Sequence, residues 1–245
     1  MYNYKSNLKF NPGEGIAMNK KLFYPIVFVL FISLLGFATA GAVTKTFKKA
    51  RSQVYFGLTV PYNTYSGDFN GDFMIRTSLE DIYIPDLDNG VGFGVTFGLS
   101  GRMGPFWTYA VEAAYQHTSL DYTFADLKDD AGVGNIDINV KGIYSPQKIQ
   151  PYALLGISIP YINVSNGAAG GFVIDDAKFR GVGINFGAGA DLYISPRVFL
   201  NFNIMYRAQQ ISTVEGIGDS FDISGNLDHN NLNVSAGIMY AIPLD

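Results

Sequence analysis

The sequence predicts an all-β protein: eight antiparallel strands closed into an up-and-down, membrane-spanning β-barrel, preceded by a helical signal peptide. Three observations carry this. The stretch Asn89–Arg102 reads N-G-V-G-F-G-V-T-F-G-L-S-G-R, with Val91, Phe93, Val95, Phe97 and Leu99 alternating with Gly92, Gly94, Thr96, Gly98 and Ser100. A period of two is the strand period, and the run matches the roughly 9–11 residues that a tilted strand needs to cross a bilayer. Seven further segments show the same alternation, and the connections between them alternate long and short. Finally, the polar faces hold Gly, Ala, Ser, Thr and Asn with few charges, unlike a water-exposed sheet face.

A lone strand in lipid would leave its backbone N–H and C=O groups unpaired at several kcal/mol each, so such strands must close on one another. The composition agrees. Of 245 residues, 48% are hydrophobic, 15% aromatic and only 16% charged, against the usual quarter or so. A net charge of −4 with no basic stripe gives no reason to expect a nucleic-acid partner. The absence of cysteine excludes disulfides, thiolate metal sites and a cysteine nucleophile.

The order basic, apolar, small marks an export signal at residues 18–40. Asn19, Lys20 and Lys21 follow Met18, Leu22–Phe37 is nearly all apolar, and Ala38-Thr39-Ala40 supplies the cleavage pattern. Met18 then reads as the translation start, residues 1–17 as an upstream extension, 41–52 as a short tether and 53–245 as the barrel.

The first strand is Gln53–Val60, with Val54, Phe56, Leu58 and Val60 on one face. A polar stretch, Pro61–Asp88, leads to the second, the run described above. After a turn at Arg102–Pro105, the third strand, Phe106–Leu120, sets Trp107, Tyr109, Val111, Ala113 and Tyr115 against Thr108, Ala110, Glu112, Ala114 and Gln116. The acidic stretch Asp121–Gly132 reads as a loop before the fourth, Val133–Tyr144, where Ile136, Ile138 and Val140 oppose Asp137, Asn139 and Lys141. The turn at Ser145–Lys148 leads to the fifth strand, Gln150–Tyr161, with Ala153, Leu155, Ile157 and Ile159 on one side. A Gly-rich loop, Asn163–Lys178, precedes the sixth, Phe179–Ile194, where Val182, Ile184, Phe186 and Leu192 oppose Gly183, Asn185, Gly187 and Asp191. Ser195–Arg197 turns into the seventh, Val198–Gln209, with Leu200, Phe202, Ile204 and Tyr206 against Asn201, Asn203, Met205 and Arg207. A last acidic loop, Ile211–Asn230, precedes the eighth, Asn231–Ile242.

An eight-stranded soluble barrel would bury its apolar face and expose a charged one. The small polar residues here suit the inside of a narrow barrel, so the apolar faces are expected to meet lipid. Trp107, Tyr109, Tyr115, Tyr144, Tyr161, Tyr206 and Tyr240 fall near strand ends on those faces, as an aromatic girdle would.

On Gln150-Pro-Tyr-Ala-Leu-Leu-Gly156 and on Gly187-Ala-Gly-Ala-Asp191 running through Ser195-Pro-Arg197, the chain resembles the outer-membrane β-barrel family of OmpA/OmpX type. The resemblance covers the barrel only, without the peptidoglycan-binding domain some members carry. It implies an outer-membrane location in a Gram-negative-type envelope. The partners it implies are outer-membrane lipid and lipopolysaccharide, the barrel assembly machinery, and an unidentified partner of the loops. Members usually end on an aromatic residue used in assembly; here Tyr240 is the nearest to the Pro243-Leu244-Asp245 end. The expected role is structural, surface-exposed or adhesive, with a narrow or gated passive pore and a lipid A-modifying enzyme as alternatives.

Glu112, Asp137, Lys141, Asp191 and Arg207 would all point inward. An unpaired charge in a low-dielectric lumen is costly, so a salt-bridge network is expected there, with Lys141 and Arg207 as the cations. No catalytic, cofactor-binding or metal-binding residue is expected. His117-Thr118-Ser119 resembles the H-x-S pair of outer-membrane lipid A deacylases, with Asp121 in phase, but a two-residue match is weak and a hydrated strand end explains it. The stretch Asp68–Asp72 opens a run with Phe73 and Leu79 at the sixth and twelfth places, where an EF-hand needs Gly and Glu, and reads as a turn. The G-x-G pairs lack a third Gly and a following helix, so they are strand glycines.

Overall fold

In the computed structural model, the described residues are 52–69, 73–76, 81–84, 86–124, 127–145, 148–164, 167–169, 172–174, 177–216 and 219–244. The expected extension, signal peptide and nearly all of the tether lie outside them, as does Asn70–Asp72 of the Asp68 turn.

The strands are β1 (Ser52–Gly67), β2 (Phe73–Arg76), β3 (Asp81–Ile84), β4 (Asp86–Leu87), β5 (Gly90–Arg102), β6 (Trp107–Phe124), β7 (Leu127–Tyr144), β8 (Ile149–Val164), β9 (Gly167–Ala169), β10 (Phe172–Ile174), β11 (Ala177–Tyr193), β12 (Val198–Gly216) and β13 (Asp219–Pro243). Eight of them form one antiparallel ring in the order β6-β5-β1-β13-β12-β11-β8-β7, closed by the β6–β7 pairing. The short β4 extends the edge of β6, while β10-β9-β3-β2 make a separate four-stranded sheet.

The register sets the barrel's dimensions. From Val54 the paired residues run Leu99, Val111, Val140, Leu155, Phe186, Tyr206 and Leu232, and the circuit returns to β1 at Thr64. One circuit therefore climbs ten residues (64 − 54) along the starting strand. With eight strands, that stagger tilts them roughly 40–45° from the axis and leaves an interior that side chains fill.

All nine of those residues sit on the outer face. Phe56, Phe93, Ile138, Leu155 and Phe186 are each about half exposed or more, so the apolar phase turns outward as the alternation requires. Asp137, Asn185 and Arg207, on the other phase, have no exposed surface at all.

Two expected loops are instead strand in all their described residues, and most described residues of the expected Pro61–Asp88 stretch and Asn163–Lys178 loop also lie in strands, β1 to β4 and β8 to β11. Asp121–Gly132 and Ile211–Asn230 continue β6, β7, β12 and β13 as paired ribbons, with 125–126 and 217–218 between them. The reason is a change of surroundings, not of backbone. Above the apolar band the outward residues become Ser119, Asp121, Asp130, Lys178, Arg180 and Asp228, so the hydrophobic alternation that marks a lipid-facing strand disappears. The inward residues change in the opposite sense. Tyr65, Phe69, Leu120, Val133, Ile162, Phe179, Ile211 and Leu227 form a buried apolar cluster at this end. Seven of the eight ring strands, all but β5, are thus greasy outside and polar inside in one part, and polar outside and greasy inside in the next. The second part is built as a soluble barrel is.

Candidate functional site

The interior holds three layers of different chemistry. At the end of the three short turns, Tyr55, Tyr152, Tyr193, Phe199, Met205 and Met239 belong to an apolar and aromatic cluster. Embedded in it is the pair Lys141–Glu112, at 2.6 Å. The Tyr55 hydroxyl donates to the same Glu112 Oε1 at 2.6 Å. Lys141 Nζ also stands 4.1 Å from the centre of the Tyr152 ring, a cation–π contact strengthened by exclusion of water. Asp191 accepts from Asn201 Nδ2 at 2.7 Å, and Asn201 Nδ2 reaches the Tyr152 hydroxyl at 2.8 Å. Gly98 makes the Tyr55 contact feasible: a Cβ there would collide with the Tyr55 ring, and Gly98 pairs with Glu112 across the β5–β6 ladder.

The middle layer is centred on Arg207. Its Nε and Nη2 donate to Asp137 Oδ1 and Oδ2 at 3.1 and 2.7 Å. Its Nη1 donates to Asn231 Oδ1 at 2.6 Å and its Nη2 also to Gln116 Oε1 at 2.7 Å. Asn185 Nδ2 donates to Asp137 Oδ1 at 3.2 Å, and Asn233 Nδ2 to Gln116 Oε1 at 3.1 Å. Gln209 Nε2 joins Asn135 Oδ1 and Ser158 Oγ, both at 2.7 Å, and Asn63 Nδ2 reaches Thr118 Oγ1 at 2.6 Å. Nearly every strand of the ring contributes, so the layer ties the barrel across its width. Planar, two-point pairing of guanidinium and carboxylate orients both groups as well as attracting them.

Thus the five inward charges divide into Lys141 with Glu112, Arg207 with Asp137, and Asp191 with Asn201. Gln116, Asn231, Asn185 and Gln209 complete the network; in the sequence they are only inward-phase amides with no charge to single them out.

The third layer is the apolar cluster at the other end. Phe69, just past β1, is fully buried and packs edge-on against Phe179 at 5.5 Å and His229 at 5.1 Å. Asp68 holds this turn to β13: its N–H donates to Asp228 O at 2.9 Å, and its Oδ2 accepts from Asp228 N–H at 2.8 Å. A phase shift in apolar residues near the strand ends is the signal for this layer.

The outer face carries aromatic side chains at two levels. Near the short turns, Trp107 meets Tyr144 at 5.4 Å and Phe56 meets Tyr240 at 5.8 Å, with Tyr109 exposed beside them. Near the other end, the Tyr161 hydroxyl donates to that of Tyr115 at 2.5 Å, with the rings stacked. The Tyr161 ring lies over Gly134, where any Cβ would displace it. Phe186 packs on Tyr206 at 5.5 Å. His117 and Ser119 lie on this outer face too, His117 against Phe93 at 5.7 Å. No hydrogen bond joins His117 to Ser119 or Asp121. Among the described residues no group of three or more His, Asp or Glu side chains converges as a metal site would need.

The outer membrane protein beta-barrel domain family matches residues 29–240. No curated protein matches the chain. Among solved structures, the attachment invasion locus protein Ail of Yersinia pestis is 13% identical, with 79% of this chain and 99% of that one covered and a TM-score of 0.46. OprG of Pseudomonas aeruginosa is 14% identical, with coverage of 80% and 97% and a TM-score of 0.46. Neisserial surface protein A is 16% identical, with coverage of 76% and 96% and a TM-score of 0.44.

Proposed function

Starting from the fact that this chain belongs to the outer membrane protein beta-barrel family and resides in the outer membrane, we propose that it is a closed, non-enzymatic barrel. Its work is structural and adhesive, done by the strands and hairpins that rise above the lipid on the cell exterior. The barrel assembly machinery inserts it, outer-membrane lipid and lipopolysaccharide surround its apolar band, and the raised hairpins meet the outside partner. The observation that carries this reading is the inversion of the strand faces. A protein built only to span lipid has no use for a second, inward-facing apolar core, whereas one that holds a surface up in water needs it. The filled middle layer around Arg207 supports a plug rather than a passage.

The absence of native cysteine makes the test direct. Single cysteines placed at residue 79, in the sequence between β2 and β3, and at residue 171, between β9 and β10, should react with a membrane-impermeant maleimide on intact cells. Replacing residues 73–84 with a Gly-Ser linker should leave membrane fractionation and heat-modifiable gel mobility unchanged. It should also reduce attachment of expressing cells to protein-coated surfaces. Unlabelled cysteines, or undiminished attachment, would defeat the reading. The passive-pore alternative requires conductance in planar bilayers. The lipid A-modifying alternative requires a lipid A mass change that Ser119→Ala abolishes.

A further inference from the structure

Among the residues whose side chains are described, the outer surface at the exterior end is acidic except on one strand. Asp88, Asp121, Asp130 and Asp228 are all exposed there. Among the residues whose side chains are described, the cations at this end are Lys178 and Arg180, both on β11 and both exposed. Being two apart, they share the outer face. Directly below them on that face come Val182, Ile184 and Phe186, exposed by 67%, 56% and 50%. Arg180 is therefore the first outward side chain above the apolar band, and Lys178 stands one step higher, roughly 7 Å away. The β11–β12 register shifts between Arg180 and Gly181, a bulge of the kind that re-aims side chains at barrel rims. Asn163 of β8 and Glu215 of β12 flank Lys178 in the register, and Tyr161 and Thr213 flank Arg180.

Glu215 is the local counter-ion. Its Oε1 lies 3.2 Å from Arg180 Nη1, yet the Arg180 side chain remains 60% exposed. A guanidinium carries five N–H donors, so one carboxylate contact leaves most of the fork open to a second acceptor.

We propose that Lys178 and Arg180 bind the phosphate of an outer-leaflet phosphoglycolipid of lipopolysaccharide type, whose acyl chains lie along Val182, Ile184 and Phe186. The argument is complementarity of charge and of amphipathic order: two cations cap an apolar strip on one strand, as a phosphate caps acyl chains in one lipid. Arg offers a fork that matches two phosphate oxygens, and Lys adds a point charge beside it. Asn163 can reach the sugar. The described carboxylates elsewhere on the rim, Asp88, Asp121, Asp130 and Asp228, repel phosphate unless a divalent cation intervenes, whereas Lys178 and Arg180 on β11 attract it without metal. Glu215 competes for the guanidinium and weakens the site. The proposal rests on reading this end as the exterior one, which the maleimide labelling above tests separately.

The test uses the full protein in detergent micelles containing EDTA, so that metal bridging is removed. The probes are bisphosphorylated lipid A, the same lipid after dephosphorylation, and inorganic phosphate, with retained lipid counted by native mass spectrometry. The native chain should retain the bisphosphorylated lipid about tenfold better than the dephosphorylated one, the effect expected of one or two charge-assisted hydrogen bonds. K178Q/R180Q should erase that preference with gel mobility unchanged, and Glu215→Gln should increase it. Equal retention of the two lipids, or a preference that survives K178Q/R180Q, overturns the proposal. Displacement of the lipid by millimolar inorganic phosphate would show a free-anion site and overturn the lipid assignment. Labelling at residues 79 and 171 with no lipid preference would remove this site while leaving the exterior orientation standing.

Discussion

Arg207 on β12 and Asp137 on β7, seventy positions apart in sequence, form a two-point ion pair with no solvent-exposed surface on either side chain. They sit on non-adjacent strands, and their contact crosses the lumen instead of following the sheet. Removing one partner strands the other as a buried charge, which is the costly case for a buried ion pair. Arg207→Met should lower the unfolding free energy in micelles by about 3–5 kcal/mol. The double variant Arg207→Met/Asp137→Leu should recover much of that loss, because no unpaired charge remains. Urea titration read by heat-modifiable gel mobility checks both. If the lumen is plugged, planar-bilayer conductance of Arg207→Met stays at the native baseline.

Gly98 is a second pressure point. A methyl group there would push the Tyr55 ring away from Glu112, leaving that carboxylate with Lys141 alone. Gly98→Ala should destabilise by about 1–3 kcal/mol, as overpacking does. Gly98→Ala/Tyr55→Phe should cost little more than Gly98→Ala alone, since the first change already breaks the hydrogen bond. A double-mutant cycle measures the coupling.

The inversion of faces predicts a steep dependence on height. Ile138 lies on the outer face within the apolar band, and Ser119 lies on the same face toward the end opposite the short turns. Ile138→Arg should cost about 2–4 kcal/mol in lipid vesicles, and Ser119→Arg about 0–1 kcal/mol. Similar costs at the two positions would mean that the lipid boundary does not fall between them.

Trp107 is the single tryptophan of the chain, so its fluorescence reports one place. It is half exposed on the outer face and packed against Tyr144 near the short turns. In reconstituted vesicles its emission should be quenched more by lipids brominated close to the headgroup than by lipids brominated at the chain ends. Aqueous iodide should quench it weakly. Strong iodide quenching with no effect of brominated lipid would remove Trp107 from the membrane interface.

The two expected acidic loops show where reading a strand by its hydrophobic period stops. At Asp121, Asp130 and Asp228 the outward side chains leave lipid for water, so the apolar alternation ends although the ladder of β6 with β7 and of β12 with β13 goes on. The alternation is still present, shifted by one residue: Leu120, Val133, Phe179, Ile211 and Leu227 carry it on the inner face. His229 lies at that changeover, stacked on Tyr65 at 5.3 Å, and belongs fully to neither pattern.

Which face each side chain takes was written in the order of residues, because side-chain direction along a strand is a local consequence of backbone geometry. The eight spanning segments, the outward course of Phe93 and Phe186, and the inward course of Glu112, Asp137, Lys141, Asp191 and Arg207 all follow from it. Who meets whom inside was decided by the closed ring. A stagger of ten residues per circuit brings Arg207 to Asp137 and Gln116, and Tyr55 to Glu112, and no spacing along the chain encodes that climb. Partner choice across a lumen depends on the registers of all eight strands at once, and these exist only when the sheet has closed on itself.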